Sequence, residues 1–229
     1  MINSRAQLIS RLRDLRLSGI VEALPLRLVQ RLFARRLKEA GITHVKELKD
    51  FDWSFNPKIP KAKIVDLATA RFVRKQENAL LIGPPGIGKS HIAIAIAIGA
   101  IRAGYRARVR SAFDLAADFA EAEAAGERTQ LVQALSKVDL LVVEDFGRKR
   151  LGPNAAEDFL EVLLRRHENA STVVTTNRPP EDWGRLLGDV PAATAILDRF
   201  LAHAKVVAMT GRSYRLDQHT ARRAAKEDP

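Results

Sequence analysis

Two periods of apolar residues divide the chain, and the change between them comes near residue 79. Ahead of it, leucines recur at spacings of three and four residues with arginines between them, as at Leu8, Leu12 and Leu15. Such spacings place side chains on one face of a helix. The pattern predicts a first helix that breaks at Ser18-Gly19 and a second that Pro25 interrupts and Ala40-Gly41 ends.

The segment FDWSFNPKIP, Phe51 to Pro60, has neither period. It combines aromatic residues with two prolines, a composition that disfavours both helix and central strand. We interpret it as an extended linker that is anchored by its rings. A helix is predicted after it, from Lys61 to Arg74.

From Ala79 onward, short apolar runs alternate with helical patterns. The predicted strands are ALLIG (79–83), RARVR (106–110), VDLLVVED (138–145), STVVTTN (171–177) and KVVAM (205–209). Helices are predicted after the first strand and over residues 112–125, 154–166 and 193–202. Apolar strands that alternate with helices indicate a mostly parallel sheet with both faces covered. The predicted fold class is therefore α/β.

Composition excludes several classes of protein. The chain has 229 residues, of which 46% are hydrophobic and 28% charged, the profile of a globular protein. It has no cysteine, which excludes disulfides and cysteine-ligated metals. We find no secretory signal and no apolar run near the ~20 residues that span a membrane. The expectation is a cytoplasmic protein without a membrane partner.

The net charge of +11 is concentrated at one end of the chain. The first 75 residues contain 17 Lys and Arg against 7 Asp and Glu, a net charge of +10. Such a segment is typical of a surface that binds a polyanion, most often nucleic acid, although a solvated helical surface is the alternative. The candidate DNA-binding residues are Arg11, Arg13, Arg16, Arg31, Arg35, Arg36, Lys38, Arg148, Lys149 and Arg150.

The octapeptide GPPGIGKS, Gly83 to Ser90, fits the phosphate-binding pattern G-x-x-x-x-G-K-[ST]. It lies between a predicted strand and a predicted helix, as this motif requires. Its glycines let backbone N–H groups turn toward phosphates, and the helix N-terminus adds partial positive charge. Lys89 is expected to reach the β- and γ-phosphates and Ser90 to ligate Mg²⁺.

Polar side chains end two later strands. Glu144 and Asp145 follow a buried apolar run, at the strand end where open sheets place their ligands. We predict that Glu144 holds the metal and that Asp145 positions the attacking water. Asn177 ends the next strand, where it either faces the γ-phosphate or caps a helix.

Five motifs, in order and spacing, resemble the IstB family of AAA+ ATPases, helpers of insertion-sequence transposases that are similar to the DnaC helicase loaders. The resemblance runs from about Arg31 to Leu216. The motifs are GPPGIGKSHIA, LLVVEDFG, STVVTTNRPPEDWGRLLGD, AILDRF and GRSYRL. It implies a P-loop AAA+ three-layer fold behind a small basic helical domain. We divide the chain into residues 1–58 as that domain, 59–217 as the ATPase and 218–229 as a tail.

The resemblance also implies roles for individual residues. Asn177 would be the first sensor, Arg215 the second, and Arg199 the arginine finger donated to a neighbouring subunit. The family usually has Asp first in the acidic pair, so the order Glu144-Asp145 is a departure. The implied nucleotide-binding residues are Gly83, Pro84, Pro85, Gly86, Ile87, Gly88, Lys89, Ser90, His91 and Arg215.

The function expected is that of an ATPase with Mg²⁺ that assembles with itself on DNA, largely without sequence preference, and assists a transposase. Its turnover would be slow and stimulated by DNA or a partner. A helicase loader is the alternative with the same engine. A small-molecule P-loop kinase fits the basic segment and Arg199 poorly, and no N-K-x-D sequence supports a GTPase. A DNA-binding protein without ATPase activity is also left open.

Overall fold

The structure is a computed structural model that describes residues 18–148, 152–187, 190–218 and 220. Its centre is a five-stranded parallel sheet in the order β2-β3-β4-β1-β5. Each of the five predicted strands is confirmed to within two residues. The strands are β1 (Asn78–Ile82), β2 (Ala107–Ser111), β3 (Leu140–Phe146), β4 (Ser171–Thr176) and β5 (Ala204–Ala208).

Helices cover both faces of this sheet. Successive residues of a strand face opposite sides, and the core divides accordingly. Leu81 and Val142 belong to one buried apolar cluster, whereas their neighbours Leu80 and Leu141 belong to another. The predicted α/β class with three layers is therefore confirmed. The helices are α1 (Ser18–Glu39), α2 (Lys61–Ala68), α3 (Arg71–Arg74), α4 (Lys89–Arg102), α5 (Ala112–Ala124), α6 (Arg128–Lys137), α7 (Pro153–Arg166), α8 (Trp183–Leu187) and α9 (Val190–Ala202).

The first helical region departs from the prediction. Helix α1 continues through Pro25, so the predicted interruption is wrong. A proline removes one N–H donor, and the remaining turns of a 22-residue helix continue on both sides of it. The predicted end is confirmed, since Gly41 adopts a left-handed φ of +77° just after α1. The leucines at positions 8, 12 and 15 lie outside the described residues.

Two further predictions need correction. The single helix predicted over residues 61–74 is divided into α2 and α3, because Ala70 adopts φ +59° between them. The aromatic segment turns instead of extending: a 3₁₀ helix, Leu48–Asp50, leads into bends and turns up to residue 59. The prediction that its rings anchor it is confirmed, since the Phe51 ring lies 4.7 Å from that of Trp53.

The segment between α1 and α2 packs onto the ATPase core. Ala40, Ile42 and Ile59 are buried in the same apolar cluster as β1 and α4. A boundary at residue 58 stays a prediction, but residues 40–59 supply core side chains that an isolated ATPase domain would need. No helix in the described part of the chain is long and apolar enough to cross a membrane.

Candidate nucleotide-binding site

The phosphate-binding loop connects β1 to α4 at the carboxyl edge of the sheet. Gly86 and Gly88 adopt φ values of +77° and +103°, which side chains with a Cβ rarely tolerate. Parallel strands end at the same edge, so the ends of β3 and β4 lie beside this loop. The sequence prediction that the motif lies between a strand and a helix is confirmed.

Other parts of the chain press against the three glycines. A Cβ at Gly83 would overlap the carbonyl oxygen of Met209, and one at Gly86 would overlap the hydroxyl of Ser213. A Cβ at Gly88 would lie 2.5 Å from the Phe51 ring. The glycines therefore permit close packing of two distant segments as well as the turn itself.

Lys89 is held inside the loop. Its Nζ donates hydrogen bonds to the carbonyls of Gly83 (2.7 Å) and Pro84 (2.9 Å), and the residue is only 6% exposed. Burial lowers the pKa of Lys89, which the negative charge of Asp145 opposes and the positive charge of Arg215 reinforces. An ammonium group bonded only to neutral carbonyls is prepared to exchange them for phosphate oxygens, which are charged acceptors.

Ser90 and Glu144 together fit a divalent cation. Burial raises the pKa of Glu144, and a hydrogen bond from Ser90 partly offsets that rise. The Oε1 atom of Glu144 is buried and has no hydrogen-bond partner among the described residues. A buried carboxylate oxygen without a donor, next to a hydroxyl, suits the oxygen coordination that Mg²⁺ requires. The described residues contain no group of three His, Cys, Asp or Glu that could hold a metal, so phosphate and water would complete the coordination.

Asp145 lies at an irregularity of β3. The register with β4 shifts between Val143 and Phe146, and Asp145 itself has φ +54°. Its backbone N–H donates to the hydroxyl of Thr175 (3.0 Å) instead of to a ladder carbonyl. The bulge turns this side chain into the cavity described below, where Arg148 Nη1 lies 3.6 Å from Asp145 Oδ2.

A cavity of about 410 Å³ lies over the loop. Its lining includes predicted site residues: Pro85 to His91, Asp145, Asn177 and Arg215. Asn177 does not cap the next helix, the 3₁₀ turn Pro180–Asp182, because Pro179 holds that position. Lining residues that the sequence reading missed are Lys46, Asp50, Phe51, Asp52, Phe55, Asn56 and Tyr214.

The missed residues come from two segments that meet across the cavity. The side chain of Asn56 donates to the Arg212 carbonyl (2.9 Å) and accepts from the Arg212 N–H (2.9 Å). The rings of Phe55 and Tyr214 meet edge to face at 5.1 Å. Tyr214 in turn donates its N–H to the Gly86 carbonyl (3.0 Å). The aromatic content of residues 51–55 was a signal for this wall, but only as an anchored segment.

Comparison with known proteins identifies the family. The model of the family described as IstB-like ATP binding protein matches residues 12–222. The chain belongs to this family. The ATP-binding proteins named for insertion sequence IS21 of Pseudomonas aeruginosa and IS5376 of Geobacillus stearothermophilus are 38% and 33% identical to it. Those alignments cover 82% and 84% of this chain and 71% and 76% of the relatives.

Solved structures agree on the fold. The replication initiator DnaA bound to AMPPCP and single-stranded DNA has a TM-score of 0.61 at 18% identity, over 79% of this chain and 55% of that one. DnaI has a TM-score of 0.61 at 22% identity, over 72% and 90%. The DnaC helicase loader has a TM-score of 0.57 at 18% identity, over 77% and 99%. At such identities the likeness shows the P-loop AAA+ fold, as predicted.

Several predicted residues of this IstB-like protein lie away from the cavity. Arg199 is exposed on α9 and is not among the residues that line it. Glu144 lies behind the wall, beside Ser90. Arg148, a candidate DNA contact, is in the wall instead. Arg31, Arg35, Arg36 and Lys38 are on α1, whereas Arg11, Arg13, Arg16, Lys149 and Arg150 lie outside the described residues.

Proposed function

We propose that this IstB-like protein is an ATP-dependent, DNA-binding AAA+ regulator that assembles on DNA and assists an insertion-sequence transposase. The observation that carries the proposal is the phosphate-binding cavity, in which Lys89 and Ser90 lie beside the acids at the end of β3. The insertion-sequence names of its relatives support the cellular role.

The cavity accommodates ATP in one orientation. The loop and Lys89 would bind the phosphates, and Ser90 with Glu144 would hold Mg²⁺. Phe55 and Tyr214 lie at the joint of the two wall segments and offer ring faces and edges to a base. Bound Mg²⁺ would neutralise charge that develops on the phosphates during transfer to water.

Asp145 is proposed to orient the attacking water, because it is the acid of the pair that lines the cavity. We expect Asp145→Asn to bind ATP as the wild type does and to hydrolyse it at least ~10²-fold more slowly, the usual effect of losing a positioned base. Asparagine also tolerates a positive φ, so the fold should persist. Single-turnover hydrolysis with separately measured affinity checks this expectation.

Glu144→Gln provides the matched control for that experiment. It should weaken the Mg²⁺ dependence of nucleotide binding, because the neutral amide is a poorer ligand for a hard cation. Loss of Mg²⁺ dependence in Asp145→Asn, with Glu144→Gln blocking only the chemical step, would show that the two roles are reversed.

DNA binding is proposed for an exposed basic stripe on α1. Its members recur at helical spacing on one face: Arg27, Arg31, Arg35 and Lys38. Arg36 has a structural role instead, since its Nη1 donates to the Gly104 carbonyl (2.7 Å). The stripe is the part of the predicted DNA surface that the structure leaves available on this helix.

Replacing Arg31, Arg35 and Lys38 together by Gln should weaken DNA binding and its salt dependence. Each lost phosphate contact lowers the slope of log K against log salt by about 0.9, so the triple variant should lose about 2.7. The matched control removes three exposed lysines elsewhere, Lys58, Lys63 and Lys137. Equal slopes for the two triple variants, measured by fluorescence anisotropy over a salt series, would contradict the assignment.

The partner is tested by co-purification with ATP and DNA. We expect a transposase from the same insertion sequence to be retained by the wild type and not by a Lys89→Ala variant. Retention of a replicative helicase in its place would favour the loader alternative. Phosphorylation of a small acceptor by a protein that ignores DNA would favour a kinase.

A further inference from the structure

The cavity contains a lysine from outside the phosphate-binding loop. Of the basic residues that line it, Lys89 bonds to loop carbonyls and Arg148 lies against Asp145. Lys46 makes no ion pair with any residue that the structure describes, although it is partly buried in the wall. A partly buried ammonium group without a counter-charge is costly unless an anion joins it.

Lys46 lies at the metal end of the cavity. It lines the cavity together with Ser90, and its charge lowers the pKa of Glu144, the carboxyl group beside Ser90. The β- and γ-phosphates of a nucleotide bind at this end, because Ser90 and Lys89 are there. The anion that completes the surroundings of Lys46 is therefore a phosphate oxygen.

The backbone around Lys46 is fixed to the start of α4. The Nε2 atom of His91 donates to the carbonyl of Glu47 at 2.8 Å. The Phe51 ring meets the His91 ring edge to face at 5.3 Å and packs against Gly88. Segment 46–51, which we call the linker, therefore contacts the loop and its helix at both ends.

The linker also contacts the basic helix. The Glu47 carboxylate pairs with Arg102 at the end of α4. The guanidinium of Arg102 lies over the Phe33 ring of α1, 5.4 Å from its centroid. Glu47 thus follows the cavity lysine directly and shares Arg102 with the helix that we propose binds DNA.

We propose that Lys46 is a second phosphate-binding lysine, and that ATP bound to it fixes the linker and with it the position of α1 on the ATPase core. This inference rests on the proposed ATP function. It gives a physical route by which the triphosphate affects DNA binding: the phosphates order Lys46, the linker orders Glu47 and Arg102, and Arg102 orders Phe33.

The first test is affinity for MgATP by calorimetry. Lys46→Gln keeps most of the side chain and removes its charge, and it should raise the Kd about tenfold, as expected for a lost hydrogen bond to a charged group. Lys46→Arg should restore affinity to within about threefold, since the cation is retained. Lys58→Gln, an exposed lysine outside the cavity, is the control and should match the wild type. A Lys46→Gln affinity equal to that control would overturn the inference.

The second test measures backbone exchange with deuterium at saturating MgATP. ATP should protect the amides of residues 47–51 in the wild type and in Lys58→Gln, and this protection should be lost in Lys46→Gln. Equal protection in all three proteins would contradict the proposed coupling. A wild type that binds no MgATP would contradict the proposed function and this inference together, whereas Lys89→Ala losing ATP while Lys46→Gln keeps it would contradict this inference alone.

Discussion

Lys89→Ala should raise the Kd for MgATP at least ~100-fold and leave the protein folded. The lysine exchanges two carbonyl hydrogen bonds for phosphate oxygens. Each hydrogen bond to a charged group contributes about 1.5–3 kcal/mol, and every 1.4 kcal/mol is a factor of ten. The fold should survive because removing a buried cation also removes its desolvation cost. Calorimetry gives the affinity and thermal unfolding the stability.

Lys63→Ala is the matched control for Lys89→Ala. Lys63 is exposed on α2 and does not line the cavity. It should bind MgATP as tightly as the wild type. An affinity of Lys89→Ala within threefold of this control would remove the phosphate role from the loop.

Arg199→Ala should lower DNA-stimulated hydrolysis about 10³-fold or more, the range attributed to an arginine supplied in trans to a transferring phosphoryl group. ATP affinity of the isolated chain should not change, because Arg199 is exposed on α9 and does not line its own cavity. Arg185→Ala, an exposed arginine on the neighbouring helix α8, is the control and should keep its activity.

Mixing Arg199→Ala with Lys89→Ala distinguishes action in trans from action within one chain. Each variant lacks what the other supplies, so mixed assemblies should contain some complete interfaces and recover partial hydrolysis. The assay is steady-state phosphate release over a range of mixing ratios, with co-assembly verified by light scattering. Mixed assemblies without any recovery would show that Arg199 does not complete a neighbour's site.

The strands and the phosphate-binding loop could be predicted because their signals are local. Apolar runs such as 140–143 can only be buried, and the loop motif requires its flanking strand and helix. Helices α6 and α8 were missed because α6 buries only two residues, Val132 and Leu135, and α8 has five residues in all. Such short or mostly polar helices depend on tertiary contacts, which periodicity does not report.

The cavity wall was missed for a different reason. Asn56 and Arg212 are 156 positions apart, and nothing in either sequence indicates that they hydrogen-bond to each other. The wall exists because β5 lies next to β1 and delivers residues 209–215 to the loop. Long-range pairing of this kind follows from topology, which the sequence determines only through the whole fold.

The order of the acidic pair has a reason in the backbone. Asp145 adopts φ +54°, a region that Asp and Asn tolerate better than most residues with longer side chains. Glutamate at this position would have to combine its extra methylene with a strained backbone. The bulge in β3 and the short acid therefore belong together, and the departure from the usual order is local geometry as much as chemistry.

The packing against the loop glycines has a consequence for how this sequence can drift. Gly83, Gly86 and Gly88 are restrained by Met209, Ser213 and Phe51, which are needed in every cell that folds the protein, whether or not ATP is used. Lys89 has no such second duty. A copy of the gene that is maintained only for a folded, inert product would therefore retain the glycines and lose the lysine first, so the lysine is the residue that distinguishes a working copy from a relic.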